Sequence, residues 1–168
     1  MKSVQSIQSK IFTLPLLLAE IKRWRLKNKK IVFTNGVFDM LHTGHISSLN
    51  EAAVCGDILI TAVNSDSSVK RLKGELRPVN DQDTRTLLLA SLLVTDAVII
   101  FEEDTPLDLI KAVLPDVLVK GGDYEIDEIA GAKEVLANGG EIKLAGIIEG
   151  ISTSMLIEKI RVAEVKKF

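Results

Sequence analysis

Ile31-Val32-Phe33 is a short apolar run with β-branched and aromatic members, and Asp57 to Val63 (DILITAV) is a second, nearly unbroken one. Between them Ile46, Leu49, Ala52 and Ala53 recur at helical spacing. Strands apolar on both faces, joined through a helix, predict a parallel sheet covered by helices on each side; a sheet with one wet face would alternate instead. The rhythm continues down the chain. Asp83 to Leu93 predicts a helix that buries Leu87, Leu88, Leu89, Leu92 and Leu93, and Asp96 to Phe101 predicts a third strand. A helix capped by Thr105 or Asp104, with Pro106 in its first turn, runs to before Pro115. Glu102, Glu103 and Asp104 read as complements to that helix's dipole rather than as metal ligands. Val117-Leu118-Val119 and Glu141 to Leu144 complete the strands, and a terminal helix follows with Met155, Leu156, Ile157 and Ile160 as its apolar residues. The expected fold is α/β, a three-layer sandwich around a parallel sheet.

Residues 1–29 form a helical preface, in which Pro15 opens a helix to about Leu26 with Leu17, Leu18, Ile21 and Trp24 as its apolar stripe. Residues 30–168 make up the main domain, and 168 residues suffice for one domain with a substantial core. A net charge of −2 gives no electrostatic case for nucleic-acid binding. No apolar run approaches the roughly 20 residues of a membrane span, and the N-terminus lacks a signal peptide's apolar core. The single Cys55 excludes an internal disulfide framework and fits a reducing cytoplasm; its apolar helical setting reads as a structural thiol.

Ligands in sheets of this kind bind outside the carboxyl ends of the strands. Those ends are Thr34-Asn35-Gly36 and Asn64-Ser65-Asp66, small and polar. Just beyond the first lie the chain's two histidines, His42 and His45, with Thr43 and Gly44 between them at the start of a helix. A helix start presents unpaired N–H groups and a positive dipole end, so it attracts phosphate, and imidazoles there follow charge developing on phosphate oxygens. One histidine alone would read as a satisfied core residue; both in one turn after a strand read as functional. A zinc site is not expected without a third ligand nearby. Lys70, Arg71, Lys73 and Arg77 are four cations within eight residues, read either as a solvated face or as a clamp over a triphosphate. Lys120 with Gly121-Gly122-Asp123 leaves the fourth strand at the same edge. Gly150-Ile151-Ser152-Thr153-Ser154 opens the last helix; one hydroxyl there is explained as an N-cap, three look like a second phosphate cradle.

HTGH after TNGVFD resembles the HxGH signature of the nucleotidyltransferase superfamily that includes the cytidylyltransferases. AVNSDSSVKRLKG with RPVN, and PDVLVKGGDYEIDEIAGA, are similar to the sugar-phosphate adenylyltransferases that make ADP-heptose. Glycerol-phosphate cytidylyltransferases carry arginine and threonine just before the ISTS motif, where this chain has Ile147 and Ile148, a departure that suits the heptose branch. The resemblance covers about residues 30 to 162 and implies a Rossmann-like fold of the HxGH type. It also implies transfer of AMP from ATP to D-glycero-β-D-manno-heptose 1-phosphate, an intermediate of lipopolysaccharide core synthesis.

By that resemblance His42, His45, Lys70 and Lys73 are the expected catalytic residues. Thr34, Asn35, Gly36, Phe38, Gly44, Lys120, Gly121, Gly150, Ser152, Thr153 and Ser154 are expected at the nucleotide. Asp39, Asn64, Asp66, Arg77, Arg85 and Asp123 are expected toward the second substrate, with Asp39 also open to a metal or turn role. Mg²⁺ is expected on the triphosphate, without a dedicated protein cage, and a homodimer is common among relatives. A glycerol 3-phosphate or other polyol-phosphate cytidylyltransferase is the nearer alternative; a non-catalytic nucleotide-binding domain is the other.

Overall fold

The computed structural model describes residues 4–122, 124–146, 148 and 150–165. The chain opens with α1 (Val4–Gln8), β1 (Ile11–Phe12) and α2 (Leu14–Leu26), and continues through β2 (Ile31–Gly36), α3 (Thr43–Ala53), β3 (Ile58–Asn64) and α4 (Asp66–Lys73). It goes on with α5 (Gln82–Ala90), β4 (Ala97–Phe101), α6 (Leu107–Val113) and β5 (Val117–Gly121). A short 3₁₀ turn, α7 (Ala132–Ala137), β6 (Glu141–Ala145) and α8 (Thr153–Val165) complete it.

All strands are parallel and stand in the order β1-β4-β3-β2-β5-β6. Successive residues of each strand enter opposite cores: Ile31 and Phe33 pack with Ile60, Leu118 and α2's Leu17 and Ile21, whereas Val32 packs with Leu59, Val63, Val98, Leu49 and Leu89. Both faces are therefore apolar, which is why the strand sequences are continuous rather than alternating. From β2 the chain moves outward through β3 to β4, then returns to place β5 on the other side of β2. That reversal opens a crevice between the carboxyl ends of β2 and β5, where ligands of such sheets bind.

Several elements differ from expectation. The preface, expected to be helical, also contributes β1, which pairs with β4 at the sheet edge; two residues are too few to show a strand period. Helix α5 stops at Ala90, and Leu87, Leu88 and Leu93 are exposed while Leu89 and Arg85 are fully buried. Helix α6 starts at Leu107 with Pro106 at its cap position and no side-chain cap; Asp104 instead pairs with Arg71 at 2.8 Å and Glu102 accepts from Ser67. Met155 and Ile160 of α8 stay exposed. Cys55 is only half-buried. β5 runs on through Lys120 and Gly121, held by pairing with β6.

Candidate active site

Strand β2 ends at Asn35-Gly36, and the next residues turn back over it before α3 begins. Gly36 lies within β2 and has no left-handed φ. What it supplies is space: a Cβ there would lie 3.0 Å from the Phe38 ring. Phe38 itself takes the left-handed conformation, φ 51°, which costs a residue with a Cβ about 1–2 kcal/mol. Its ring meets His45 edge-on, centroids 5.3 Å apart. His42 caps α3 and stacks on His45 at 3.8 Å with 22° between the planes. Gly44 permits that stack, since a Cβ there would sit 3.0 Å from Cε1 and Nδ1 of His42.

The stack sets the protonation state. Burial, and then the neighbouring His42, push the His45 pKa down from 6.5 to about 4, against a smaller upward pull from the Met40 carbonyl. That carbonyl forms no well-shaped hydrogen bond to the ring: the Nδ1 atoms of both histidines are buried without a protein partner. Burial lowers the His42 pKa as well. Two imidazolium rings at this separation would repel, so the pair is neutral near pH 7 and able to take up a proton when an anion arrives.

Two cavities meet at this pair. The first, about 430 Å³, lies over the crevice and is lined by both histidines together with Thr34, Asn35, Gly36, Phe38, Gly44, Asn64, Lys120 and Gly121. Lys120 Nζ donates to Asn35 Oδ1 at 3.3 Å and stands 5.5 Å from the Tyr124 ring centroid, with no carboxylate partner among the described residues. Burial lowers its pKa. The second cavity, about 370 Å³, is bounded by the same histidines, by Asp39, Lys73 and Arg77, and by Ser152, Thr153 and Ser154 at the start of α8. Ser152 Oγ caps that helix by accepting from Met155 N at 3.2 Å. A phosphate chain crossing from one cavity to the other would pass the histidines.

Some expected residues lie elsewhere. Lys70 is exposed and lines neither cavity, because α4 turns it away while bringing Lys73 in. Gly150 also lines neither. Arg85, Asp66 and Asp39 are tied into the protein: Arg85 donates to Asn80 O, Val37 O and Asp66 Oδ1, and the Asp39 carboxylate accepts from Arg77 Nε, Val79 N and Asn80 N. Burial would raise the Asp39 pKa, but those N–H groups and the guanidinium outweigh it and hold the carboxyl below its usual range. Its lone pairs are thereby occupied, which leaves it poorly suited to a metal. Asp123 and Ile147 lie outside the described residues. Ile148, noted in the sequence for its departure from the cytidylyltransferase pattern, lines the first cavity with Ile151, and Ser48, Leu72 and Tyr124 line it without having been singled out. Of the last three only Tyr124, next to the glycine pair, carried a signal in the sequence; Ser48 lies one helical turn after Gly44, whose carbonyl it binds at 3.1 Å.

The family model described as cytidylyltransferase-like matches residues 33–159, from the middle of β2 into α8. The chain belongs to the cytidylyltransferase-like family. It is 51% identical over 94% of its length to a protein named bifunctional protein HldE from Koribacter versatilis, and 55% identical over 86% of its length to one of the same name from Vibrio cholerae. The chain spans about a third of those relatives, 32% and 30%. Among solved structures it is similar to a lipopolysaccharide core biosynthesis protein from Thermoplasma volcanium. The TM-score there is 0.58 at 32% identity, covering 71% of this chain and 97% of that one. A pantoate-beta-alanine ligase from Francisella tularensis, 16% identical with a TM-score of 0.56 over 81% of this chain and 66% of that one, shares the fold.

Proposed function

We propose that the chain transfers AMP from ATP to D-glycero-β-D-manno-heptose 1-phosphate, releasing pyrophosphate and forming ADP-heptose for lipopolysaccharide core synthesis. The observation that carries the phosphate chemistry is the stacked histidine pair shared by two cavities, one with a carboxylate-free lysine and the other with Lys73, Arg77 and a hydroxyl-rich helix start. The choice of sugar and base rests on the resemblance of the KRLKG, RPVN and KGGDY stretches to heptose-phosphate adenylyltransferases, and on similarity to the HldE proteins.

In this reading an oxygen of the sugar phosphate attacks the α-phosphorus of ATP, the bond from that phosphorus to the bridging oxygen breaks, and pyrophosphate leaves. The attacking oxygen is already ionised, so no protein nucleophile or strong base is required. Catalysis comes from holding the groups in line and stabilising charge as it moves to the leaving group. His42 and His45 hydrogen-bond the α-phosphate, and their low pKa values rise as negative charge approaches. Lys120 neutralises the acceptor and α-phosphates in the first cavity. Lys73, Arg77 and the α8 N-terminus receive the departing pyrophosphate in the second.

Mg²⁺ would travel with the triphosphate and neutralise part of its charge. The donors here fit an ion held mainly by phosphate and water, with the Asn35 and Asn64 side chains at the first cavity as outer contacts. We place the reaction in the cytoplasm, in keeping with the single free thiol, and expect a homodimer, for which the exposed Leu87, Leu88 and Leu93 offer an apolar contact.

Pyrophosphate release measured with ATP and CTP crossed against heptose 1-phosphate and glycerol 3-phosphate tests the proposal. Turnover with ATP and the heptose phosphate alone supports it. Turnover with CTP and glycerol phosphate alone replaces it with the polyol-phosphate reading, and silence in all four refutes both.

A further inference from the structure

Phe38, the left-handed residue whose ring borders His45, is gripped on both sides. On its N-terminal side the Val37 carbonyl accepts from Arg85 Nη1 at 2.7 Å. On its C-terminal side the Asp39 carboxylate accepts from Arg77 Nε at 2.7 Å, Val79 N at 2.8 Å and Asn80 N at 2.9 Å. Asn80 closes the circle: its Nδ2 donates to Asp39 O at 2.6 Å and its carbonyl accepts from Arg85 Nε at 3.1 Å. Arg85 and Asp39 are both essentially without solvent exposure, 0% and 1%. Burying two charged groups is expensive, and hydrophobic replacements of similar volume often serve stability as well or better. The backbone at Phe38 has no secondary-structure partner to keep it in an unfavoured conformation, so the surroundings must impose it.

We infer that Asp39 and Arg85 are positioning residues rather than substrate ligands: they clamp the Val37–Asp39 turn against the Arg77–Asn80 loop so that Phe38 holds the His45 ring in the stack. This inference rests on the histidines acting on phosphate. It goes beyond that reading because it assigns the geometry of the histidines to two buried side chains, Asp39 and Arg85, whose hydrogen bonds are made to the protein. It also joins the two cavities: the Arg77 guanidinium that lines the second is fixed by the same carboxylate that fixes the histidine turn.

The chain's two histidines make the test clean, because their imidazole titrations are followed by NMR without overlap from others. The charged and titratable groups that share the two cavities with His45 are His42, Asp39, Lys73, Arg77, Asp104, Lys120 and Tyr124. Asp39→Asn removes a negative charge, and by electrostatics alone it would lower the His45 pKa further. If the carboxylate instead clamps the turn, its loss lets the ring reach water and the pKa rises toward 6.5. The clamp predicts a rise of one unit or more, with kcat reduced at least 10-fold and KM changed less than 3-fold. An unchanged or lowered His45 pKa together with wild-type kcat overturns it.

Should Asp39→Asn not fold, Phe38→Gly decides, since glycine accepts the left-handed angle and only the ring is lost. The same rise in the His45 pKa is expected there, and an unmoved titration refutes the positioning role. Because the titration is read without substrate, it stands or falls separately from the choice of ATP and heptose phosphate.

Discussion

Replacing Lys120 with methionine should separate function from stability. In the free protein the ammonium has one long hydrogen bond, to Asn35 Oδ1 at 3.3 Å, and a ring contact with Tyr124 at 5.5 Å. Together these contribute about 1 kcal/mol, and the unpaired, partly desolvated charge offsets much of it. Methionine fills nearly the same volume, so stability should change by less than about 1 kcal/mol, a shift of about 2–4 °C in Tm. Against a phosphate the balance differs. One unit charge about 4 Å from another, at the effective dielectric of a partly buried site, is worth about 4 kcal/mol. Water entering the vacated space recovers part of that, so we expect a loss of about 2–4 kcal/mol in transition-state binding, or about 30- to 900-fold in kcat/KM. Steady-state pyrophosphate release and thermal unfolding of one preparation measure both. A kcat/KM within about 3-fold of wild type would refute the phosphate role.

His45→Ala should lower kcat by about 100- to 1000-fold, as expected for removing one charge-stabilising donor, while the unfolding midpoint moves little. Acid should weaken the fold through the same residue: between pH 6.5 and about 4 the unfolded chain binds a proton that folded His45 refuses, so stability falls as pH falls through that window. The ceiling is about 3 kcal/mol, brought to about 1–2 by solvent screening, and the urea midpoint should fall further between pH 7 and pH 5 for wild type than for His45→Gln if this holds. Asp39, with its pKa held below the usual carboxylate range, contributes stability above that range that is lost only at more acidic pH. Leu89→Ala should cost about 2–4 kcal/mol and Leu88→Ala less than about 1, since Leu89 is fully buried and Leu88 is 41% exposed; chemical denaturation of the two variants checks the facing of α5.

The central strands could be read from the chain because both of their faces are covered, which writes burial into consecutive residues rather than into a pattern that needs a partner to interpret. The histidine turn, Lys120 and the hydroxyl-rich helix start were legible for a related reason: each follows a strand end or opens a helix, so chain position alone places it at the crevice. Arg85 was not legible as a buried group. Its burial depends on the Val37–Asp39 turn and the Arg77–Asn80 loop meeting around it, two segments about forty residues apart in sequence. Gly36 is a related case. Gly36 looks like a turn residue, but its need is for room beside a ring two residues on, while the left-handed angle falls to Phe38. The leucine run of α5 overstates its buried face because three adjacent leucines point around more than half the helix, and only Leu89 faces the sheet.

The most direct test of the account is a structure of the protein with Mg²⁺ and an ATP analogue whose α,β-bridge resists cleavage. The account predicts an α-phosphate oxygen within about 2.7–3.2 Å of an imidazole nitrogen of His42 or His45, with the β- and γ-phosphates against Ser152 to Ser154 and Lys73. A triphosphate seated away from the histidine pair, with the second cavity empty, would contradict it.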